Sequence, residues 1–267
     1  MAPAVRLAGG IPAGDGEHRA GGAAAAGRAG AAGHDQGSRR VHRHQVEQEA
    51  RLRFYGKKVL FVGAHPDDIE IGCGALLAQI AAHAEVLCVT LSDNQDNPRH
   101  KNLVQEHRRS MAALGVPESR VLVQRFQTRN FARDRQEILE YLYEINREQG
   151  PDLVFVHSAA DIHQDHGVAT QETLRAFRGV SVLGFDVLRS SYGFFPHFLV
   201  EVGEQDVQRK LAALAEYKTY ADKYYFSPDV IRSTLVRHGA LAERPYAEGF
   251  DILRIVGAFE NPARMGG

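Results

Sequence analysis

The stretch "FVGAHPDDIEIGCGALL", residues 61–77, changes period within a few positions. Its first part continues an apolar run that opens at Lys58, strand-like in length and rich in Val, Leu and Phe. Its last part, from Cys73 onward, has apolar residues at helical spacing. Between the two stand His65, Pro66, Asp67 and Asp68, which put an imidazole and two carboxylates at the tip of a buried strand. Gly72 and Gly74 resemble the start of a dinucleotide loop, but Leu77 stands where the last glycine of GxGxxG is needed. These glycines are read as permitting a tight turn and close helix packing.

The same alternation continues outward. Apolar runs at 58–64, 85–91, 120–126, 152–158 and 181–188 have strand length. Amphipathic stretches at 73–83, 102–114, 132–149 and 166–178 lie between them. Gly115 with Pro117, and Gly150 with Pro151, are helix stop signals. Strand and helix in turn predict βαβ units, hence an α/β fold with a mostly parallel sheet and helices on both faces. Residues 189–267 break the pattern and are read as a C-terminal α/β cap. It holds a strand in "FFPHFLVEV", one helix over "EQDVQRKLAALAEYKTYADKYY", and a segment "RHGALAERPYAEGF" that folds back near the active face.

Composition narrows the class. The 267 residues carry a net charge of −1, so no global field favours nucleic acid or an anionic membrane. No apolar stretch reaches the roughly 18 residues of a membrane span. Cys73 and Cys88 are too few for a disulfide framework and read as small core hydrophobes, in keeping with a reducing cytoplasm. Residues 1–43 are Ala, Gly and Arg with almost no large apolar side chain, which predicts a disordered tail ahead of a single domain at 44–267.

The chemistry concentrates in two places. His65 and Asp68 are three residues apart, so one turn can aim both at a single point. After the fourth apolar run comes "HSAADIHQDHG", with His163, Asp165 and His166 just ahead of a helix. Ligands of open α/β sheets bind beyond the carboxyl ends of the strands, so the two clusters are expected to share one rim. Two histidines and a carboxylate with an open position make a common hydrolytic zinc site. His65, Asp68 and one of the later histidines supply that set, leaving Asp67 and His163 for proton transfer and oxyanion stabilisation. Each piece alone has a plainer reading: a strand-end His is often structural, and Asp165 suits a helix N-cap.

"AHPDD" followed by "HQDH" resembles the PIG-L/LmbE-like zinc de-N-acetylases, which act on N-acetylglucosaminyl lipids, mycothiol and bacillithiol precursors and glycosylated antibiotics. The likeness runs from about 57 to 256 and includes "EHRRSMAALGV", "FFPHFLVEV", "KLAALAEYKTY" and "YAEGF". It implies a Rossmann-like fold and one zinc ion per chain, with ferrous iron the other candidate. The ligands would be His65, Asp68 and His166, with Asp67 as general base and His163 as the cation facing the oxyanion. Asp165 would orient and charge a histidine, assigned to His163. The substrate would be a small amino-sugar conjugate, contacted by Arg99, Lys101, Tyr192 and Glu248. The aromatic "YKTYADKYYF" would serve packing or a homo-oligomer contact. Two features depart from the family: Leu103 replaces a sugar-contacting Arg, and "TLSDNQDN" replaces a Thr-x-Gly-Glu-like stretch. Competing readings are an esterase or phosphatase on the same site, or a non-catalytic nucleotide-type domain.

Overall fold

A computed structural model describes residues 54, 56–94 and 97–257. The expected tail at 1–43 and the domain start at 44 lie outside the described residues. Seven strands form one sheet: β1 (Lys58–Gly63), β2 (Glu85–Thr90), β3 (Val121–Val123), β4 (Leu153–His157), β5 (Ser181–Phe185), β6 (Phe198–Glu201) and β7 (Ala247–Arg254). Their order is β3-β2-β1-β4-β5-β7-β6. The first five are parallel to one another; β7 runs antiparallel between β5 and β6. The helices are α1 (Asp68–Ile80), α2 (Leu103–Ala113), α3 (Arg135–Gln149), α4 (Gln164–Ala176), α5 (Glu204–Leu214) and α6 (Pro228–Leu241).

Strand periodicity divides the core. In β1, Val59 and Phe61 point to a layer shared with α1, α2 and α5, while Leu60 and Val62 point to one shared with α3 and α4. Phe61 and Phe155 stack at 5.0 Å, both fully buried. Each such ring stabilises the fold by about 2–3 kcal/mol relative to an exposed one. Because β1 pairs with β2 on one side and β4 on the other, the connections leaving β1 and β4 diverge and open a crevice at their carboxyl ends.

The structure differs from the sequence reading in three places. Helix α1 starts at Asp68 rather than Cys73, because helical backbone resumes across a break at Cys73 (φ −145°). Glu248 and Lys210 splice that break. Glu248 accepts from the Ala75 and Leu76 N–H groups at 3.0 and 2.7 Å. The Lys210 ammonium donates to the Ile71 carbonyl at 2.7 Å and to Glu248 at 2.6 Å. Gly74 leaves room for the Lys210 stem, and a Cβ at Gly72 would enter the Phe185 ring at 2.3 Å. Second, the long helix expected from Glu204 ends at Leu214 and continues as short 3-10 turns at Lys218–Tyr220 and Tyr224–Phe226. Third, the tail segment does not simply fold over the active face: it forms the end of α6 and then β7, which inserts into the sheet. No described helix is long and apolar enough to cross a membrane.

Candidate active site

The crevice is a cavity of about 360 Å³, within the range of small-molecule sites. Both His/Asp clusters reach it: His65, Asp67 and Asp68 after β1, and His163 and His166 after β4. The turn after β1 is fixed by its backbone. The His65 N–H donates to Asp68 Oδ2 at 2.7 Å. The Ala64 N–H donates to His157 Nε2 at 3.0 Å.

Two sets of possible metal donors come within 4.8 Å of one another, His65/His163/His166 and Asp68/His157/His166. Hydrogen bonding narrows them. His157 Nε2 is committed to the Ala64 N–H, and its Nδ1 is buried without a partner. His65 Nε2 faces Asp165 Oδ2 at 3.0 Å, and His166 Nδ1 faces Asp161 Oδ2 at 2.8 Å. Each carboxylate therefore takes the outer N–H of its ring and turns the inner nitrogen toward the cavity. The inner atoms form a triangle: His65 Nδ1 to Asp68 Oδ2 is 3.5 Å, His166 Nε2 to Asp68 Oδ2 is 3.5 Å, and His166 Nε2 to His65 Nδ1 is 3.3 Å. Ligands at 2.0–2.1 Å around a tetrahedral ion stand about 3.3–3.4 Å apart, so this donor set fits zinc without rearrangement.

The electrostatics follow from crowding. Burial alone would lower the pKa of His65, but hydrogen bonds to Asp165 and Asp68 lift it to about 9. Burial would raise Asp68, yet His166, His157 and His65 pull it well below the carboxylate range. Asp67 is the opposite case. Burial and the neighbouring Asp68 push it well above the ordinary value. No described group hydrogen-bonds its carboxylate, which opens into the cavity. Its φ of 104° is a left-handed conformation that a non-glycine residue adopts only under constraint, at roughly 1–3 kcal/mol.

His163 and Asp165 depart from the expected pairing. Asp165 gives its carboxylate to His65 Nε2 and to the Arg129 N–H at 2.6 Å, not to the His163 ring. The reason is local: His163 is the N-cap of α4, and its Nδ1 accepts the Asp165 N–H at 3.2 Å. That leaves the proton on Nε2. Burial and the charges of His166 and His65 push His163 down to about 4.

The expected substrate contacts lie elsewhere. Arg99, Lys101 and Tyr192 are exposed and do not line the cavity; Arg99 belongs to a 3-10 turn whose neighbours Asn97 and His100 do. Glu248 is buried and does not line the cavity; it serves the break in α1. The cavity instead takes Asn94, Arg129, Arg189, Tyr220, Lys223 and Tyr225. Asp161 was also missed, although it organises the β4 loop. It accepts from the Ser190 hydroxyl at 2.9 Å and the His163 N–H at 2.8 Å besides His166. Its place in "AADIHQDH", a further carboxylate in the same His/Asp cluster, was the available signal.

Residues 60–177 match the family described as PIG-L, GlcNAc-PI de-N-acetylase. The Escherichia coli (strain K12) protein described as uncharacterized deacetylase YaiS is 32% identical over 180 residues, 61% of this chain and 91% of that one. Among solved structures, N,N'-diacetylchitobiose deacetylase from Pyrococcus horikoshii superposes with TM-score 0.63 at 18% identity, covering 84% of this chain and 94% of that one. GalB, the 4-carboxy-2-hydroxymuconate hydratase from Pseudomonas putida KT2440, superposes with TM-score 0.61 at 19% identity, covering 77% and 99%. At such identities the structures speak for the fold alone, and the fold serves more than one reaction. The sequence matches are what decide the family: the chain belongs to the PIG-L de-N-acetylases and is a hydrolase acting on amides.

Proposed function

We propose that this protein is a metal-dependent de-N-acetylase that removes the acetyl group from an N-acetylated amino sugar, such as an N-acetylglucosamine conjugate. The observation that carries the reading is the triangle of His65 Nδ1, Asp68 Oδ2 and His166 Nε2, with an unpaired Asp67 carboxylate opening into the same cavity. Zinc, or ferrous iron, held by those three atoms would polarise the amide carbonyl and bring the pKa of a water toward neutrality.

The chain's own residues do the rest. Asp67, raised in pKa and free of hydrogen-bond partners among the described residues, takes a proton as water adds to the carbonyl carbon. It returns that proton to nitrogen as the C–N bond breaks, so the products are acetate and the free amine. His163 presents Nε2–H toward the cavity, held by its N-cap bond, where it can meet the developing oxyanion. One such donor is worth about 3 kcal/mol. Asp165 and Asp161 fix the tautomers of His65 and His166. The direct test is acetate release from methyl N-acetylglucosaminide by zinc- or iron-loaded protein. Metal-dependent release supports the reading; no release from any N-acetyl amino sugar would contradict it.

A further inference from the structure

His157 closes β4, is fully buried and does not line the cavity. Its ring nevertheless reaches every part of the metal triangle. Nε2 accepts the Ala64 N–H at 3.0 Å and so holds the peptide that leads into His65. The same Nε2 stands 3.4 Å from Asp68 Oδ2. The ring face lies on His166, with centroids 3.8 Å apart and planes 18° from parallel. His166 in turn stacks on His163 at 4.3 Å and 26°. Behind His157, Phe185 of β5 is tilted against it at 4.7 Å, and Phe185 is itself pressed on α1, where a Cβ at Gly72 would enter its ring. The Thr170 hydroxyl of α4 donates to the His157 carbonyl at 2.9 Å and fixes the base of this column. Four rings thus run from the core, through a metal donor, to the group set to meet the oxyanion.

Stability does not account for a histidine at this position. Nε2 spends its lone pair on the Ala64 N–H, so the neutral ring carries its proton on Nδ1. Nδ1 is buried with no partner among the described residues. A buried donor left unpaired costs free energy that an apolar ring of similar shape avoids. Phenylalanine would fill the space and keep the stack, yet it would leave the Ala64 N–H without an acceptor. What the histidine adds is therefore an acceptor aimed at the turn that carries two metal donors.

We propose that His157 is a positioning residue that sets the metal donors from beneath, by accepting the Ala64 N–H ahead of His65 and by backing the ring of His166. That role rests on the metal triangle of the reading above and not on the substrate. Asp165 and Asp161 each orient one donor through its ring N–H, whereas His157 grips the backbone of one donor turn and the ring face of another donor. The competing arrangement makes His157 itself a ligand, in the set Asp68/His157/His166.

The test measures zinc affinity by competition with a chromophoric chelator, together with the visible spectrum of the cobalt(II)-loaded protein, in His157→Phe and His157→Gln. Phenylalanine keeps the stacked ring and loses the acceptor; glutamine brings an oxygen near the Nε2 position and loses the ring. His157→Phe is expected to bind zinc about 10–100-fold more weakly than wild type and to shift the cobalt bands at saturating metal. His157→Gln, which restores the acceptor, is expected to stay within about fivefold of wild type with the wild-type bands. Unchanged affinity and bands in His157→Phe, with only a lower unfolding midpoint for the metal-free protein, would make His157 an ordinary core residue and overturn the proposal. Equal losses in the two variants also overturn it, because the acceptor would then not matter. So does a His65→Ala variant that keeps its zinc, since His157 would then be a ligand. Should His157→Phe not fold, His157→Leu, which equally lacks an acceptor, is read by the same outcomes. Wild type that binds no zinc removes the triangle and this role with it, whereas tight zinc binding without acetate release fails the substrate reading alone.

Discussion

Asp68 and Glu70 leave the first turn of the same helix, and each meets buried histidine: Asp68 near His65 and His166, Glu70 near His107. Around Glu70 one carboxylate oxygen carries the pairing, while Oε2 is buried without a partner among the described residues. Glu70 Oε1 accepts from the Tyr217 hydroxyl at 2.5 Å and faces His107 Nδ1 at 3.0 Å, while His107 Nε2 meets the Thr90 hydroxyl at 3.0 Å. Around Asp68 the outer nitrogens are tied down by Asp165 and Asp161, and the inner ones converge on a shared point beside a cavity. The residue types are nearly the same. What differs is where the lone pairs end up, and that separates a structural cluster from one that can hold an ion.

The sharpest way to break this contrast is to exchange one atom on each side. Asp67→Asn keeps the size of the side chain and removes the base, so turnover should fall about 10²–10⁴-fold with bound metal retained, read by kcat and metal analysis. Tyr217→Phe, in the closed cluster, should leave kcat within about twofold and lower stability by roughly 1–2 kcal/mol in denaturant unfolding. A large kcat loss in Tyr217→Phe would erase the distinction.

Lys210→Met probes the other closed group. Removing one partner of a buried ion pair costs about 3–5 kcal/mol, and the low end is expected because Glu248 keeps two backbone donors. Metal content should not change. Asp161→Asn works on the open side: with the His166 Nδ1–H poorly held, metal affinity should drop about 10–100-fold while the melting temperature of the metal-free protein moves little.

The order of elements was legible because strand and helix periods alternate, and the right-handed βαβ rule leaves few ways to connect them. The location of the site was legible for the same reason, since "AHPDD" and "HQDH" each follow a parallel strand. The partner of Asp165 was not. A carboxylate one residue before His166 and two after His163 can point several ways, and the N-cap geometry of α4 decides it. Arg189, Tyr220, Lys223 and Tyr225 carry no local period that announces which loops return over the rim. The strand β7 was hidden because an antiparallel insertion between β5 and β6 is a tertiary choice.

The smallest expected effect concerns pH. Burial first raises Asp186 from 3.8 to about 6, and burial lowers His238 from 6.5 to about 4; both line one small cavity. Between pH 4 and 6 the folded protein keeps a proton on Asp186 that the unfolded chain has shed, so this group favours folding at low pH and loses that contribution as pH rises. His238 has the opposite sign: the unfolded chain binds a proton that the folded one refuses, so its contribution is lost as pH falls from 6.5 to 4. The two slopes oppose each other. Asp186→Asn should expose stability that rises with pH across this window, and His238→Gln stability that falls; unfolding curves at pH 4.5 and 6 read both.

Counting ions separates the two clusters most directly. Equilibrium dialysis against zinc should give one ion per chain in wild type and in Asp67→Asn, and none in Asp68→Ala at the same free zinc concentration. Wild type that binds no ion, or Asp68→Ala that binds as much as wild type, would show that His65, Asp68 and His166 do not form the metal site.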